Sequence, residues 1–336
     1  MAVSTVVTSY RQRRSEEFRP DLIIGTVPAL PTAVAAYLVG RIFDRPYVID
    51  LRDAWPDLLN YSSSWNAGTG RKSLRERLLR RGPLQLVSKM TRFSLQFCYE
   101  RSAAMILTSD HLKQLLSERM GENEPGRKPY LATIRNVFPP RSTPEPRPAR
   151  VHGGSLRVLY AGTLGRAQQL SNAVEAVRIA KAKGCDVELR LVGAGAASAA
   201  LRSMVKGTGL PVQIYRRLGA EEISDHYEWA DTALVHLADW EPLKAAVPSK
   251  TFELIQLGIH ISGAIDGETA DIIRNLGAGD VVPPNDPEAL AELWCSLSQD
   301  RRRLLIGDGP AEALQHEESE VVPETLRKIL DEATGR

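Results

Sequence analysis

Three side chains with complementary chemistry lie close together in residues 247–258, which read VPSKTFELIQLG. Ser249 and Lys250 follow a proline, which suits the first turn of a helix, and Gly258 suits a left-handed helix end. Free N–H groups, a hydroxyl and an ammonium at a helix N-terminus can bind a phosphate or diphosphate. Glu253 lies three residues after Lys250 on nearly the same face, where its carboxylate can accept hydrogen bonds from a ribose. An ordinary capped helix with a surface Lys–Glu pair is the alternative.

Two glycine loops each follow a predicted strand. The first, residues 160–169, reads YAGTLGRAQQ, in which Gly162 and Gly165 let the backbone approach an anion and Arg166 can pair with a phosphate. A plain strand-to-helix turn is the alternative. The second loop begins at Gly193 and reads GAG, but the third glycine or alanine and the acidic residue of a dinucleotide fingerprint are missing. We therefore reject an NAD-dependent epimerase or dehydrogenase.

The elements that position these loops alternate between strands and helices. This alternation predicts an α/β protein with parallel sheets and helices on both faces. In the second half we predict strands at 156–160, 187–192, 212–215, 232–236, 260–263 and 280–282. In the first half we predict strands at 21–25, 46–50, 103–107 and 134–137. The second of these leads into the polar sequence LRDAWP, and ligands of open α/β sheets bind at such strand ends.

Length and charge indicate two domains. The chain has 336 residues, enough for about two domains. Residues 1–150 hold 24 Lys/Arg and 14 Asp/Glu, whereas residues 151–336 hold 19 and 27. Residues 139–154, rich in proline, arginine and glycine, are the predicted linker. We expect no nucleic-acid partner, because no such motif accompanies the charge and only 6% of residues are aromatic.

The three cysteines, Cys98, Cys185 and Cys295, are scattered and form neither a disulfide framework nor a metal-ligand pattern. This usage predicts unpaired thiols in a reducing cytoplasm. The histidines do not cluster as metal ligands either. No apolar run reaches the ~18 residues that a spanning helix needs. We expect a cytoplasmic protein that is peripheral on the inner face of the membrane.

A basic amphipathic stretch occupies residues 71–101. It contains nine Lys/Arg against two Glu, with Leu, Val, Met and Phe between them. Such a pattern is typical of a helix that lies on an anionic membrane surface. A solvated helix face is the alternative.

Taken together and in order, these motifs resemble the family 4 (group 1) glycosyltransferases, retaining enzymes with the GT-B fold. The resemblance is greatest to those that build bacterial surface polysaccharides, and it covers nearly the whole chain. In the first half it rests on RPDLIIGTVP, RPYVIDLRDAWPD and IRNVF. In the second half it rests on LYAGTLGRAQQL, VPSKTFELIQLG and GETADIIRNLGAGDVVPPNDPEAL.

The resemblance implies two Rossmann-like domains that face each other across a cleft. Residues 1–138 would bind the acceptor, and residues 155–320 would bind a nucleotide-sugar of the UDP-sugar class. Residues 321–336 would form a C-terminal helix that packs back on the first domain. The implied donor contacts are Gly162, Gly165, Arg166, Ser249 and Lys250 at the diphosphate, Glu253 at the ribose, and Gly193 and Glu268 in the same pocket. Arg52 and Asp53 would be catalytic, near the anomeric carbon. The departing diphosphate would help to deprotonate the acceptor, so neither a protein nucleophile nor a metal or other cofactor is expected.

The sequence also departs from the family pattern. Relatives carry an arginine and a lysine where this chain has Thr163 and Gln169, a sugar-binding glutamate where it has Ala245, and a histidine where it has Arg52. About three strands precede the PDLIIG-type strand in a full GT-B chain, so we expect an N-terminal domain that lacks its first strands. A non-catalytic remnant that binds nucleotide-sugar or membrane is the alternative to a glycosyltransferase acting on a polysaccharide or lipid-linked acceptor.

Overall fold

The computed structural model describes residues 2–15, 18–27, 31–53, 83–121, 128–137 and 154–335. Within these residues the chain folds into two compact units. Unit 1 contains the described residues up to Arg135 together with those from Ser319 onward, and unit 2 contains the described residues of Asn136–Glu318. Residues 71–82 of the basic stretch and 139–153 of the predicted linker lie outside the described residues.

Unit 1 is built around a parallel sheet, as its short apolar runs predict. In the described part of this unit the elements are α1 (Ala2–Gln12), β1 (Ile23–Val27), α2 (Pro31–Phe43), β2 (Tyr47–Leu51), α3 (Pro83–Glu100), β3 (Ala104–Leu107), α4 (Asp110–Gly121) and β4 (Tyr130–Thr133). The strands lie in the order β1-β2-β3-β4, and all are parallel. The strands β2 and β3 are buried throughout, so they form the centre of the sheet.

The predicted strand at 134–137 is wrong, because β4 lies one segment earlier in the sequence. Tyr130 of β4 is in register with Ala104 of β3, and only one further backbone hydrogen bond, from Ile134 to Leu107, extends the ladder. Ile134 and Val137 are nevertheless buried. Their apolar character therefore reflects packing after the strand rather than pairing within it.

Unit 2 repeats strand and helix more regularly. Its described elements begin with β5 (Leu156–Ala161), α5 (Ser171–Ala182), β6 (Val187–Val192), α6 (Ser198–Val205), β7 (Val212–Tyr215), α7 (Ala220–Trp229) and β8 (Thr232–His236). They continue with a 3₁₀ turn (Glu241–Ala245), α8 (Ser249–Gln256), β9 (Ile261–Ala264), α9 (Glu268–Asn275), β10 (Gly279–Val282), α10 (Pro287–Gln299), a 3₁₀ turn (Arg301–Leu304) and α11 (Gly309–His316). A π-helical turn (Glu317–Val321) then leads the chain back to unit 1, to which α12 (Val322–Thr334) belongs. Each predicted strand of this half is present.

The six described strands of unit 2 are parallel and lie in the order β10-β9-β8-β5-β6-β7. In this doubly wound order the chain starts with β5 in the middle of the sheet and adds β6 and β7 on one side. It then crosses to the other side of β5, where β8, β9 and β10 follow, so the order of the strands reverses between β5 and β8. Ligands of such sheets bind at the carboxyl ends of the strands next to this reversal. Helices α5 and α10 pack against each other over the core, in which Trp294 is fully buried.

A buried arginine holds the beginning of unit 2 in place. Arg301 forms an ion pair of 3.0 Å with Asp231, and both side chains are 9% exposed. The same guanidinium donates to the carbonyl oxygens of Gly154 and Ser155 at 2.7 and 2.9 Å. These bonds anchor the entry into β5.

Two of the cysteines are paired, so the prediction of three unpaired thiols is wrong. Cys185, just before β6, forms a disulfide with Cys295 of α10, and their Cα atoms are 5.6 Å apart. The two residues are 110 positions apart, which hides the pairing from any local spacing. Cys98 is free and buried in unit 1.

Helix α12 packs against β3 and β4 of unit 1. Its Ile329 and Ala333 are buried. In the part of the chain that the structure describes, no helix combines the length and the apolar character required to cross a bilayer.

Candidate functional site

Helix α8 is short, and its two ends follow from its sequence. It begins at Ser249, so Pro248 precedes the first turn instead of lying within it. At the other end Gly258 has a φ of 65°, and Gly258 and Ile259 donate backbone bonds to Ile255 and Leu254 at 3.0 Å. These bonds form a Schellman motif, as the glycine predicts. The C-terminal end of α8 is therefore defined by its own backbone hydrogen bonds.

Lys250 and Glu253 form an ion pair on this helix. The Lys250 ammonium lies 2.6 Å from Oε2 of Glu253. The Glu253 side chain is 10% exposed and that of Lys250 is 33% exposed. Ser249 is exposed at the first helical position. An exposed hydroxyl, a partly exposed cation and a largely buried carboxylate therefore lie within two turns of one helix.

Tyr227 of α7 completes this cluster. Its hydroxyl donates to Oε1 of Glu253 at 2.6 Å and accepts from the Lys250 ammonium at 2.8 Å. The ring is buried, and burial, together with the neighbouring Glu253, raises the pKa of the Tyr227 hydroxyl well above its usual range. The hydroxyl therefore keeps its proton and acts as a donor at neutral pH.

The two glycine loops lie against each other at the carboxyl ends of β5 and β6. A Cβ atom on Gly193 would meet the carbonyl oxygen of Gly162 at 1.8 Å, and one on Gly195 would meet that of Leu164 at 2.3 Å. Gly162 donates its backbone N–H to Val192 at 3.0 Å. The GAG sequence is thus explained by close backbone packing, which supports the rejection of an NAD fingerprint.

Arg166 and His236 lie next to the reversal point of the sheet. The Nε of Arg166 is buried, and no hydrogen-bond partner for it is found among the described residues. The Nδ2 of Asn172 lies 2.9 Å from Nε2 of His236, whose pKa burial lowers to about 4. His236 is therefore neutral at pH 7. A buried guanidinium N–H without a partner is costly, and an anion in the glycine loop would satisfy it.

The turn before α9 is packed against the 3₁₀ turn that precedes α8. A Cβ atom on Gly267 would meet the carbonyl oxygen of Lys244 at 2.2 Å, and Thr269 donates to the carbonyl of Ala246 at 2.8 Å. Glu268 is buried at the first position of α9. These contacts hold the first turn of α9, which begins with Glu268, against the segment that leads into α8.

Position 245, where the resemblance implies a sugar-binding glutamate, is a buried alanine at 2% exposure. The nearby Glu241 is instead ion-paired with Lys244 at 3.0 Å. The Lys244 ammonium also lies 3.6 Å from Asp266. Glu241 is therefore occupied by a local ion pair with Lys244.

Unit 1 holds the other predicted residues, Arg52 and Asp53. Both are exposed and directly follow β2. The Nε of Arg52 lies 2.9 Å from each carboxylate oxygen of Asp50, which is 4% exposed. Thr26 at the end of β1 donates to the same carboxylate at 3.0 Å. Asp50 is a functional candidate that was not predicted from the sequence. A carboxylate in a buried strand nevertheless indicates a nearby hydrogen-bond donor or cation, because a buried charge is costly without one.

The structure joins some predicted residues and leaves others apart. Lys250 and Glu253 are in direct contact, and so are the loops that begin at Gly162 and Gly193. Ala238, after β8, donates to Ala167 of the first loop at 2.7 Å, which ties that loop to the segment leading to α8. Among the described hydrogen bonds and ion pairs, none joins Arg166 to Lys250.

Comparison with known proteins shows what the second half of the chain resembles. Residues 155–300 match the family model described as "Glycosyl transferases group 1". Over 327 residues the chain is 25% identical to an exopolysaccharide phosphotransferase of Streptomyces coelicolor. That match covers 97% of this chain, which spans only 30% of the length of the relative.

Solved structures share the fold of the whole chain. Anabaena HepE, in complex with UDP-glucose, superposes with a TM-score of 0.67 at 15% identity, covering 100% of this chain and 82% of HepE. A sucrose-phosphate synthase from Thermosynechococcus elongatus superposes with a TM-score of 0.66 at 16% identity, covering 98% and 78% of the two chains. Two parallel-sheet α/β units and these neighbours identify the GT-B fold.

Proposed function

We propose, from the match of residues 155–300 to the group 1 glycosyl transferases, that the protein transfers a sugar from a nucleotide-sugar to an acceptor. The donor is a UDP-sugar, the acceptor is a polysaccharide or a lipid-linked saccharide, and the configuration at the anomeric carbon is retained. The observation that carries the proposal is the Lys250–Glu253 pair at the start of α8 in unit 2. The complex of HepE with UDP-glucose supports the choice of donor.

In this proposal each part of the donor meets a group of matching chemistry. The diphosphate accepts hydrogen bonds from the Lys250 ammonium, the Ser249 hydroxyl, the first turn of α8 and the Arg166 guanidinium. Glu253 accepts from the ribose hydroxyls. As the glycosidic bond breaks, negative charge develops on the leaving diphosphate, and fixed positive groups stabilise it.

Unit 1 supplies the acceptor side of the proposal. Arg52, held at the end of β2 by Asp50, and Asp53 act near the anomeric carbon. The departing diphosphate takes the acceptor proton, so the reaction needs no protein nucleophile. Unit 1 therefore binds the acceptor, and unit 2 binds the donor.

Calorimetric titration with UDP, UDP-glucose and GDP tests donor binding. Lys250→Ala should weaken UDP binding by ~1.5–3 kcal/mol, the range of a hydrogen bond from a charged donor. Lys183→Ala is the matched control, because Lys183 is also ion-paired with a glutamate, Glu292, and lies at the far end of α5. Equal loss in both variants, or none in Lys250→Ala, would remove Lys250 from the site.

A non-catalytic nucleotide-sugar-binding protein is the second candidate function. It is favoured by Ala245, a buried methyl group where relatives carry a sugar-binding glutamate. Release of UDP from UDP-sugars, measured with a mixture of lipid-linked and polysaccharide acceptors, separates the two functions. UDP binding without any sugar transfer would select the second.

We also propose that unit 1 associates with an anionic membrane surface. The support comes from α3, the described end of the basic stretch, where Met90 and Phe93 are 62% and 72% exposed. Lys89 is exposed beside them, and the Arg101 guanidinium lies 3.7 Å from the ring centroid of Phe97. Exposed apolar side chains flanked by cations are typical of interfacial helices.

A further inference from the structure

Tyr227 occupies a central place in the cluster at the start of α8. Its hydroxyl bridges the two charged groups, since it donates to Oε1 of Glu253 at 2.6 Å and accepts from the Lys250 ammonium at 2.8 Å. Lys250 reaches the other carboxylate oxygen, Oε2, at 2.6 Å. The tyrosine ring is 1% exposed, so surrounding side chains hold the hydroxyl in place.

The bonds within the cluster leave some hydrogen-bond donors and acceptors of Lys250 and Glu253 available to a ligand. An ammonium has three N–H donors, and Lys250 uses two of them, on Tyr227 and Glu253. Each oxygen of a carboxylate has two lone pairs, and one on each oxygen of Glu253 is used. One N–H remains for a phosphate oxygen, and one lone pair on each carboxylate oxygen remains for a hydroxyl group.

We propose that Tyr227 is a positioning residue for ribose recognition, which aims the carboxylate of Glu253 at the 2′,3′-diol of the nucleotide. The inference rests on the proposed function, because it concerns the same donor. A carboxylate bound only by the flexible Lys250 side chain rotates toward that cation. The rigid phenol on a second helix fixes the plane of the carboxylate, and with it the directions of the two free lone pairs.

The test is the selectivity between UDP and 2′,3′-dideoxy-UDP, which lacks the diol. We expect the wild-type protein to bind UDP at least tenfold more tightly than the dideoxy compound in calorimetric titration. In Tyr227→Phe this ratio should fall to about threefold or less, while the affinity for dideoxy-UDP stays within twofold. Equal weakening of both nucleotides, or an unchanged ratio, would overturn the inference.

Two controls sharpen the measurement. Glu253→Gln should lower the ratio as Tyr227→Phe does, because it changes the group that contacts the diol. Tyr47→Phe removes another buried tyrosine hydroxyl, which donates to the carbonyl of Cys98 in unit 1, and should leave the ratio unchanged. A lowered ratio in Tyr47→Phe would mean that the effect is not specific to position 227.

If Tyr227→Phe does not fold, 4-fluorophenylalanine at position 227 replaces it. This side chain fills the space of the hydroxyl but cannot donate a hydrogen bond to Glu253. The ratio should then fall to about threefold or less, whereas an unchanged ratio would contradict the inference. Wild-type protein that binds neither nucleotide would overturn the proposed function as well; wild-type selectivity that persists in the variant overturns only the role of Tyr227.

Discussion

At the scale of single residues, a buried carboxylate holds an exposed guanidinium at the end of β2. Asp50 accepts from Thr26 and contacts Nε of Arg52 at 2.9 Å. Because the Arg52 side chain is 39% exposed, solvent screens the pair, and its contribution to stability is about 1 kcal/mol or less. Asp50 therefore acts mainly by orienting the Arg52 guanidinium, and contributes little to stability.

Asp50→Asn should lower the rate of sugar transfer about tenfold, since an amide cannot hold Arg52 electrostatically. If Asp50 acts through Arg52, the double variant Asp50→Asn/Arg52→Gln should be no slower than Arg52→Gln alone. Steady-state kinetics of the three variants measure this coupling. Losses that simply multiply would show that Asp50 acts independently of Arg52.

The contacts that could be predicted from the sequence are those between residues a few positions apart on one helix. Lys250 and Glu253 are three positions apart on one helix, so their contact follows from the helical repeat. Tyr227 reaches Glu253 across 26 positions and Asp50 meets Thr26 across 24, so no local pattern links them. Such partners depend on how whole elements are packed.

At the scale of elements, the strands and helices of unit 2 were predictable because each apolar run is bounded by a turn signal. Helix α10, for example, begins after Asp286, whose side chain accepts from the backbone of Ala289 at 2.9 Å, and has a proline at its first position. The segment 134–137 lacked such a boundary. Its apolar residues fit a strand equally well, and only the pairing of β4 with β3 decides the matter.

Helix α3 is the element on which the proposed membrane association depends. Met90→Ser/Phe93→Ser should reduce binding to vesicles that contain anionic lipid at least tenfold, because burying each apolar side chain contributes about 1.5–3 kcal/mol. Co-sedimentation with anionic and zwitterionic vesicles measures the effect.

The control for this experiment is Met204→Ser, which alters an exposed methionine of unit 2 that is 38% exposed. Its binding to anionic vesicles should equal that of the wild-type protein. Wild-type binding by the α3 double variant would instead identify α3 as a solvated helix face.

At the scale of the whole molecule, the disulfide links distant parts of unit 2. It closes a loop across 110 positions, from Cys185, two residues before β6, to Cys295 of α10. Cross-links of long loops stabilise mainly by restricting the unfolded chain, typically by 2–4 kcal/mol. The sequence could not reveal this link, because the two cysteines meet only once α10 has packed on the sheet.

Cys185→Ser/Cys295→Ser should lower the free energy of unfolding of unit 2 by about 2–5 kcal/mol. Urea unfolding followed by tryptophan fluorescence reports on this unit, since Trp294 is buried next to Cys295. Reductant should lower the midpoint of the wild-type protein and of the control Cys98→Ala, but not that of the double variant. A wild-type midpoint that is insensitive to reductant would mean that the disulfide does not stabilise the fold.

The return of the chain to unit 1 at Ser319 has a consequence for biosynthesis. Strands β3 and β4 leave the ribosome before the described elements of unit 2, but α12, which packs against them, follows only after those elements have been made. Unit 2 is thus able to close while unit 1 still waits for its last helix, in the reverse of the usual N-to-C order of domain folding. For the same reason, cleavage between Arg135 and Asn136 would separate α12 from β3 and β4, the strands against which it packs.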